Sequence, residues 1–283
     1  MELMKQEIES AAADVVARAL VEDIGLGDLT SRALFGLEDR CRAKVQLKEE
    51  GVVCGLAVVR TAFRQLDEAI ELENLVEDGT RVSEIPRELV RLSGHTRAIL
   101  GAERVALNLL GRMSGIATLT RAFVAAVEGT GVVILDTRKT TPGLRALEKY
   151  AVQVGGGVNH RLGLFDAVLV KDNPLRLAGG VEEAVRRLRA SVLLPLEVEA
   201  DTLAQVEQAL ELGVERILLD NMSPSEVAAA VELVAARARL EVSGGVTLDN
   251  VRAYAETGVN AISIGALTHS ARSLDVSLEV LEP

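Results

Sequence analysis

Six short apolar runs in the second half of the chain each end in residues that can do chemistry. VVIL (132–135) is followed by Asp136, Thr137, Arg138 and Lys139, and AVLV (167–170) by Lys171 and Asp172. LLPLEV (193–198) leads to Glu199, and RILL (216–219) to Asp220. LEV (240–242) runs into Ser243, Gly244 and Gly245, and AISI (261–264) brings Ile264 to Gly265 and Ala266. Any buried strand must end in polar residues, so one such end proves nothing. Six ends that sort into cations, then acids, then glycines point to a site.

Between Asp136 and Asp172, six basic side chains (Arg138, Lys139, Arg145, Lys149, Arg161, Lys171) face four acidic ones, a local excess of +2 in a chain of net charge -11. His160 adds a donor beside Arg161. Planar guanidinium forks bind carboxylates through two parallel hydrogen bonds, which suits a substrate with two carboxyl groups. Arg145 and Lys149 fall in a helical pattern and read as its solvated coat. Glu199 and Asp220 end successive apolar runs, and two carboxylates so placed can hold Mg²⁺, and with it a phosphate or pyrophosphate. Their other reading is as salt-bridge partners of nearby lysines. The small residues of SGG (243–245) and IGA (264–266) let backbone N–H groups approach a phosphate.

The elements that must position these residues follow from periodicity. Between the six runs lie helical patterns such as LRALEKYAV, VEEAVRRLRA and PSEVAAAVELVAARA. Regular strand–helix alternation means a parallel sheet covered by helices. Six units in a row favour barrel-like closure, in which all strand ends open on one face. No GxGxxG follows the first strand, which weakens a dinucleotide-binding reading. Thr141 and Pro142 suit the N-cap and first position of a helix, and Gly155 in the triple Gly155–Gly156–Gly157 suits its end.

The first part reads differently. Ile8, Ala12, Val15, Val16 and Ala19 recur at helical spacing between Lys5 and Leu20, whereas Ala43, Val45 and Leu47 alternate with polar residues as in a half-exposed strand. Further strands fit AIELENLV and ELVRLSG, and 96–127 reads as mainly helix with a break near Gly111–Ser114. Residues 1–112 thus read as an α+β domain with an antiparallel sheet, and 113–269 as the barrel. The tail alternates again over Leu274, Val276, Leu278 and Val280, a strand that is expected to rejoin the first sheet through 270–283.

Composition narrows the class. With 283 residues, 48% hydrophobic and only 2% aromatic, the chain can bury a large core built from Leu, Val, Ile and Ala. The charge of -11 argues against nucleic acid or an anionic membrane as partner. Glu2 and Glu7 precede any apolar run, so no signal peptide is expected, and no run reaches the ~18 residues of a membrane span. Cys41 and Cys54 have no metal-ligand spacing and read as ordinary buried thiols of a cytoplasmic protein. Taken alone, these residues describe a phosphate-binding barrel enzyme acting on a small anion. A phosphometabolite-binding protein without catalysis is the rival, although it would not need Glu199 and Asp220 together. An isomerase or aldolase barrel is less suited, because a Schiff-base lysine does not explain the arginines.

At these residues the chain resembles the quinolinate phosphoribosyltransferase family, also called nicotinate-nucleotide pyrophosphorylase (carboxylating). The matching stretches are GLGDLTS, ERVALNLLGRMSGIAT, LDTRKTTPGLRALEKYAVQVGGGVNHRLGLFDAVLVKDN, LEVEADTL, ILLDNM, LEVSGGV and ISIGALTHS, in order over nearly the whole chain. The resemblance implies an N-terminal α/β sandwich followed by a C-terminal open α/β barrel of fewer than eight regular units. It implies transfer of phosphoribosyl from phosphoribosyl pyrophosphate to quinolinate with decarboxylation, in NAD biosynthesis. The alternative is a sister enzyme of the same fold acting on another ring. By the same resemblance, Thr137, Arg138, Lys139, His160, Arg161 and Lys171 line the dicarboxylate pocket. Glu199 and Asp220 bind the ribose hydroxyls and Mg²⁺, and with Lys139 are the expected catalytic residues. Ser243–Gly245 and Ile264–Ala266 hold the 5′-phosphate, with His269 nearby. The resemblance also implies a homodimer or higher oligomer in which Arg104 reaches the partner's quinolinate.

Overall fold

A computed structural model describes residues 2–281, with backbone only for 2–7 and 172. The chain divides into two compact units. One comprises the residues up to Arg121, then Thr140–Gly156, then those from Leu267; the other comprises Ala122–Lys139 and Gly157–Ala266.

The first unit opens with α1 (Glu2–Ile24) and α2 (Leu29–Leu34), followed by β1 (Arg40–Leu47), β2 (Gly51–Val52), α3 (Leu56–Leu66), β3 (Glu71–Asn74), β4 (Arg81–Val82) and β5 (Arg87–His95). The long helix α4 (Thr96–Ala126) follows. The apolar stripe of α1 buries Ile8, Ala12, Val15, Val16 and Leu20, and α1 packs on α3. Ala43, Val45 and Leu47 of β1 are buried, as their alternation requires. The main sheet is antiparallel, with order β12-β1-β5-β3, where β12 (Val276–Leu281) pairs with β1 in the register Val45↔Leu278.

The expected break near Gly111–Ser114 does not occur, because α4 is continuous. A Cβ at Gly111 would lie 2.7 Å from the Leu274 carbonyl oxygen, and one at Gly115 1.8 Å from that of Arg272. These glycines admit a neighbouring backbone rather than interrupt the helix. By its contacts, α4 stays with the first unit as far as Arg121. Helix α5 (Arg145–Val154) joins it as well, packing on α1.

Helix α5 begins later than Thr141 and Pro142 suggest, with Leu144 at its N-cap. Gly143 has φ +82°, outside the right-handed region, so a helix cannot run through it. The Thr141 N–H instead donates to Glu148 Oε2 at 3.0 Å. Glu148 also accepts from Arg112 at 2.8 Å, and Arg112 donates to the carbonyls of Thr268 and Ala271. Lys149, expected on the solvated coat, is 1% exposed.

The second unit continues with β6 (Val133–Leu135), β7 (Val168–Val170), α6 (Asp172–Ala178), α7 (Val181–Ser191), β8 (Leu196–Ala200), α8 (Leu203–Glu211), β9 (Arg216–Asp220), α9 (Pro224–Val234), β10 (Arg239–Ser243), α10 (Val251–Ala255) and β11 (Ala261–Ser263). The short α11 (Ala266–His269) precedes β12. The six strands are parallel in the order β6-β11-β10-β9-β8-β7. Each strand from β8 to β11 lies beside its predecessor, and β6, the first strand, lies beside β11, the last. That is the winding of a barrel left open between β6 and β7. Val158 bridges in parallel to Leu135, so the segment before His160 extends the wall beside β6.

Candidate active site

The C-terminal ends of these strands surround a cavity of about 550 Å³, which brings together Thr137, Arg138, Lys139, His160, Arg161, Lys171, Glu199, Asp220, Ser243 and Gly244. Local sequence holds them there. Glu199, in β8, lies three residues before Thr202, and Asp220, the last residue of β9, three before Ser223. Thr202 and Ser223 cap α8 and α9 through full capping boxes with Gln205 and Glu226, and Pro224 sits in the first turn of α9. A strand end and a fixed helix start so close together leave each carboxylate little freedom.

Asp136 is fully buried and accepts the His160 backbone N–H at 2.9 Å, which fixes the approach of that segment. The Arg161 N–H donates to His160 Nδ1 at 2.7 Å, leaving Nε2 to face Glu197 at 3.3 Å and Glu241 at 3.6 Å. Burial and, after it, the nearby Arg138 hold the Arg161 guanidinium below its usual range, partly offset by Glu197 and Asp166. Two guanidinium groups that disfavour each other in a half-buried wall form a site for an anion of more than one charge.

Lys171 Nζ forms an ion pair with Glu199 Oε2, so the salt-bridge reading holds for this carboxylate in the free protein. Asp220 accepts from Asn221 Nδ2 at 2.6 Å. Burial raises its carboxyl above the ordinary range, with Glu199 adding to the shift and Lys171 and Lys139 opposing it. A cation between hard carboxylate oxygens would relieve that repulsion, and the donor set fits Mg²⁺.

At the end of β10, Gly244 has φ +94° and a Cβ there would come within 2.1 Å of Asn221 Oδ1, so only glycine fits. Gly245, Ile264, Gly265 and Ala266 do not line the cavity. Ile264 is buried, and its N–H donates to the Leu135 carbonyl at 2.9 Å. His269 and Arg104 belong to the first unit: His269 shares a 2.6 Å hydrogen bond with Ser270, and Arg104 lies 3.8 Å from Glu103 with 61% of its side chain exposed.

Glu241, Ser263 and Asn221 also line the cavity, with Glu197 facing His160, and none of the four was among the residues expected from the sequence. The signal was present in the strands. Residues two apart share a face, so Glu197 stands on the inner face with Glu199, and Glu241 with Ser243.

The comparisons with known proteins agree with this geometry. Residues 28–114 match the N-terminal domain model of quinolinate phosphoribosyl transferase, and 116–279 match its C-terminal domain model. The nicotinate-nucleotide pyrophosphorylase (carboxylating) of Mycobacterium leprae is 45% identical over 280 residues, covering 95% of this chain and 97% of that protein. The decarboxylating quinolinate phosphoribosyltransferase 1b of Nicotiana tabacum is 40% identical over 287 residues, covering 94% and 81%. The crystal structure of nicotinate-nucleotide pyrophosphorylase from Ehrlichia chaffeensis superposes with a TM-score of 0.91 at 40% identity, covering 95% of this chain and 98% of that one. With both domain models matched in order and the barrel cavity assembled from the expected side chains, the chain belongs to the quinolinate phosphoribosyltransferase family.

Proposed function

We propose that this protein transfers phosphoribosyl from phosphoribosyl pyrophosphate to quinolinate with decarboxylation, giving nicotinate mononucleotide, pyrophosphate and CO₂ in NAD biosynthesis. The observation that carries the reading is the single cavity in which Arg138, Arg161, His160 and two lysines face Glu199 and Asp220. The cationic wall suits the two carboxylates of quinolinate, and the acidic wall suits ribose hydroxyls.

Glu199 and Asp220 would hold Mg²⁺, which when bound offsets charge on the pyrophosphate. Lys139, exposed at the cavity, supplies a further positive charge toward the departing group. Loss of pyrophosphate leaves an oxocarbenium-like C1, which the pyridine nitrogen attacks. The nitrogen becomes cationic, so the adjacent 2-carboxylate departs as CO₂ and its electron pair stays on C2. The protein's main contribution is to orient the two substrates and to complement their charge. Ser243 and Gly244, which line the cavity, take the 5′-phosphate in this reading.

The active form in this reading is a homodimer in which Arg104 completes the partner's carboxylate pocket. Its side chain is 61% exposed and so is accessible to a partner. The cytoplasm is the matching compartment. Cys41 and Cys54 are both free, although only Cys54 is buried, and among the described residues no helix is long and apolar enough to cross a membrane.

Incubation of the protein with Mg²⁺, phosphoribosyl pyrophosphate and quinolinate tests the proposal. Nicotinate mononucleotide, pyrophosphate and CO₂ should appear in equal amounts. Release of pyrophosphate without CO₂, or no turnover, would overturn it.

A further inference from the structure

Beneath the substrate cavity lies a second one, of about 650 Å³. Arg216, Arg239 and Ala261, the first residues of β9, β10 and β11, line the second cavity, whereas Asp220, Ser243 and Ser263, their last residues, line the first. The two cavities therefore meet the same strands at opposite ends. His160, Arg161 and Glu241 line both.

At this junction the His160 ring faces two buried carboxylates, Glu197 and Glu241. His160 Nδ1 accepts from the Arg161 N–H, so the neutral ring carries its proton on Nε2 and turns a donor, not a lone pair, toward both. The three ligand-type atoms lie within 4.8 Å of one another, but in this tautomer the ring offers the carboxylates a donor and leaves no lone pair on Nε2 for a cation. One N–H cannot satisfy two buried anions. Glu197 Oε1 and Glu241 Oε1 are each buried with no hydrogen-bond partner. Two carboxylates so close and so dry do not both stay ionised. Burial and then the charge of Glu197 push the Glu241 carboxyl up to about 7, with His160 and Ser263 opposing. The remaining neighbour in register on β9 is Leu218, which is apolar. Glu241 thus lines both the substrate cavity and a second cavity at the opposite ends of the strands.

We propose that Glu241 is the proton donor to the carbon that loses CO₂, and that it is recharged through the second cavity. The inference rests on the reaction proposed above. The C2–carboxyl bond breaks and leaves its electron pair on C2. That pair takes the proton of the Glu241 O–H, whose bonding electrons remain on the carboxylate. The carboxylate then takes a proton from solvent on the other side, so each CO₂ released consumes one solvent proton.

The test runs wild type and Glu241→Gln in equal parts H₂O and D₂O and reads the H:D ratio at C2 of the product. This ratio reports the donor whichever step limits the rate. In the Gln variant water must replace the carboxyl, so the ratio should change and kcat should fall by about tenfold or more, with quinolinate affinity nearly constant. An unchanged ratio overturns the proposal, whatever the rate. If Glu241→Gln does not fold, Glu197→Gln serves: without that neighbouring charge, the fall of kcat with rising pH should move to lower pH, and an unmoved limb overturns the proposal. Absence of nicotinate mononucleotide from the wild type would instead sink the reaction itself.

Discussion

Lys171 forms an ion pair with Glu199 in the free protein, tying a residue assigned to the substrate anion to one assigned to the metal. In the proposed reaction, a cation bound at Glu199 would displace this ammonium and make it available to quinolinate. Two opposite effects follow. Glu199→Gln and Asp220→Asn remove a metal ligand and should raise the Mg²⁺ concentration for half-maximal activity by about tenfold or more. Lys171→Met removes the competitor and should lower it modestly, since the lysine is 47% exposed, while weakening quinolinate binding. Titration of pyrophosphate release with Mg²⁺ checks both. Wild-type dependence in both carboxylate variants would make Glu199 and Asp220 structural.

Arg161 should determine affinity for the dicarboxylate. Arg161→Ala removes one of two mutually repelling cations that the substrate neutralises. Loss of such a charge-assisted pair costs about 2–5 kcal/mol, so the quinolinate Kd should rise at least tenfold while that of phosphoribosyl pyrophosphate changes little. Calorimetric titration with each substrate separates the two. An unchanged quinolinate Kd would remove Arg161 from the pocket.

Asp78 tests the first unit independently of catalysis. Its Oδ1 accepts the N–H groups of Gly55 and Leu56 at 3.0 and 3.1 Å, at the start of α3, and Tyr150 Oη donates to Oδ2 at 3.0 Å. Burial nonetheless raises its carboxyl above 3.8, outweighing these hydrogen bonds. A raised folded-state value means that its contribution is fully present below the unfolded value and is lost as pH rises through the folded one. Asp78→Asn keeps the acceptor without the charge, so at pH 7 it should match or exceed wild-type stability, with the difference shrinking toward pH 4. Asp78→Ala leaves two N–H groups unmet and should cost about 1–3 kcal/mol. Thermal melts at the two pH values check this, and a large loss in the Asn variant at pH 7 would show that the carboxylate's charge stabilises the fold.

The six strands and the order of their polar ends were legible because strand ends in an α/β barrel share one face. The tail strand was legible as a strand by its strict alternation. What sequence missed depends on contacts far along the chain. The stretch Gly111–Ser114 read as a helix break, yet Gly111 and the adjacent Gly115 let α4 approach Leu274 and Arg272, more than a hundred residues away. Thr141–Pro142 carries a capping signal that the positive φ of Gly143 overrides. Glu197 and Glu241 were hidden within runs read as apolar. Their burial is tolerable only because His160, from another segment, meets both.

Arg104 carries the last prediction. It lies in α4, where Val105, Ala106, Leu109 and Leu110 are buried, while its own side chain is mostly exposed. A solvated helix residue would look the same, so Arg104→Ala alone cannot distinguish the two roles. Subunit complementation can. Arg104→Ala and Lys139→Ala chains should each be nearly inactive alone. If Arg104 serves the partner's barrel, a mixed dimer holds one site with both lesions and one with neither. Random exchange of equal amounts makes half the dimers mixed, so activity should return to about a quarter of wild type. Mass spectrometry of the intact complex verifies that subunits exchange. Exchange without recovered activity would mean that Arg104 acts on its own chain's barrel, and the shared-site dimer would fall.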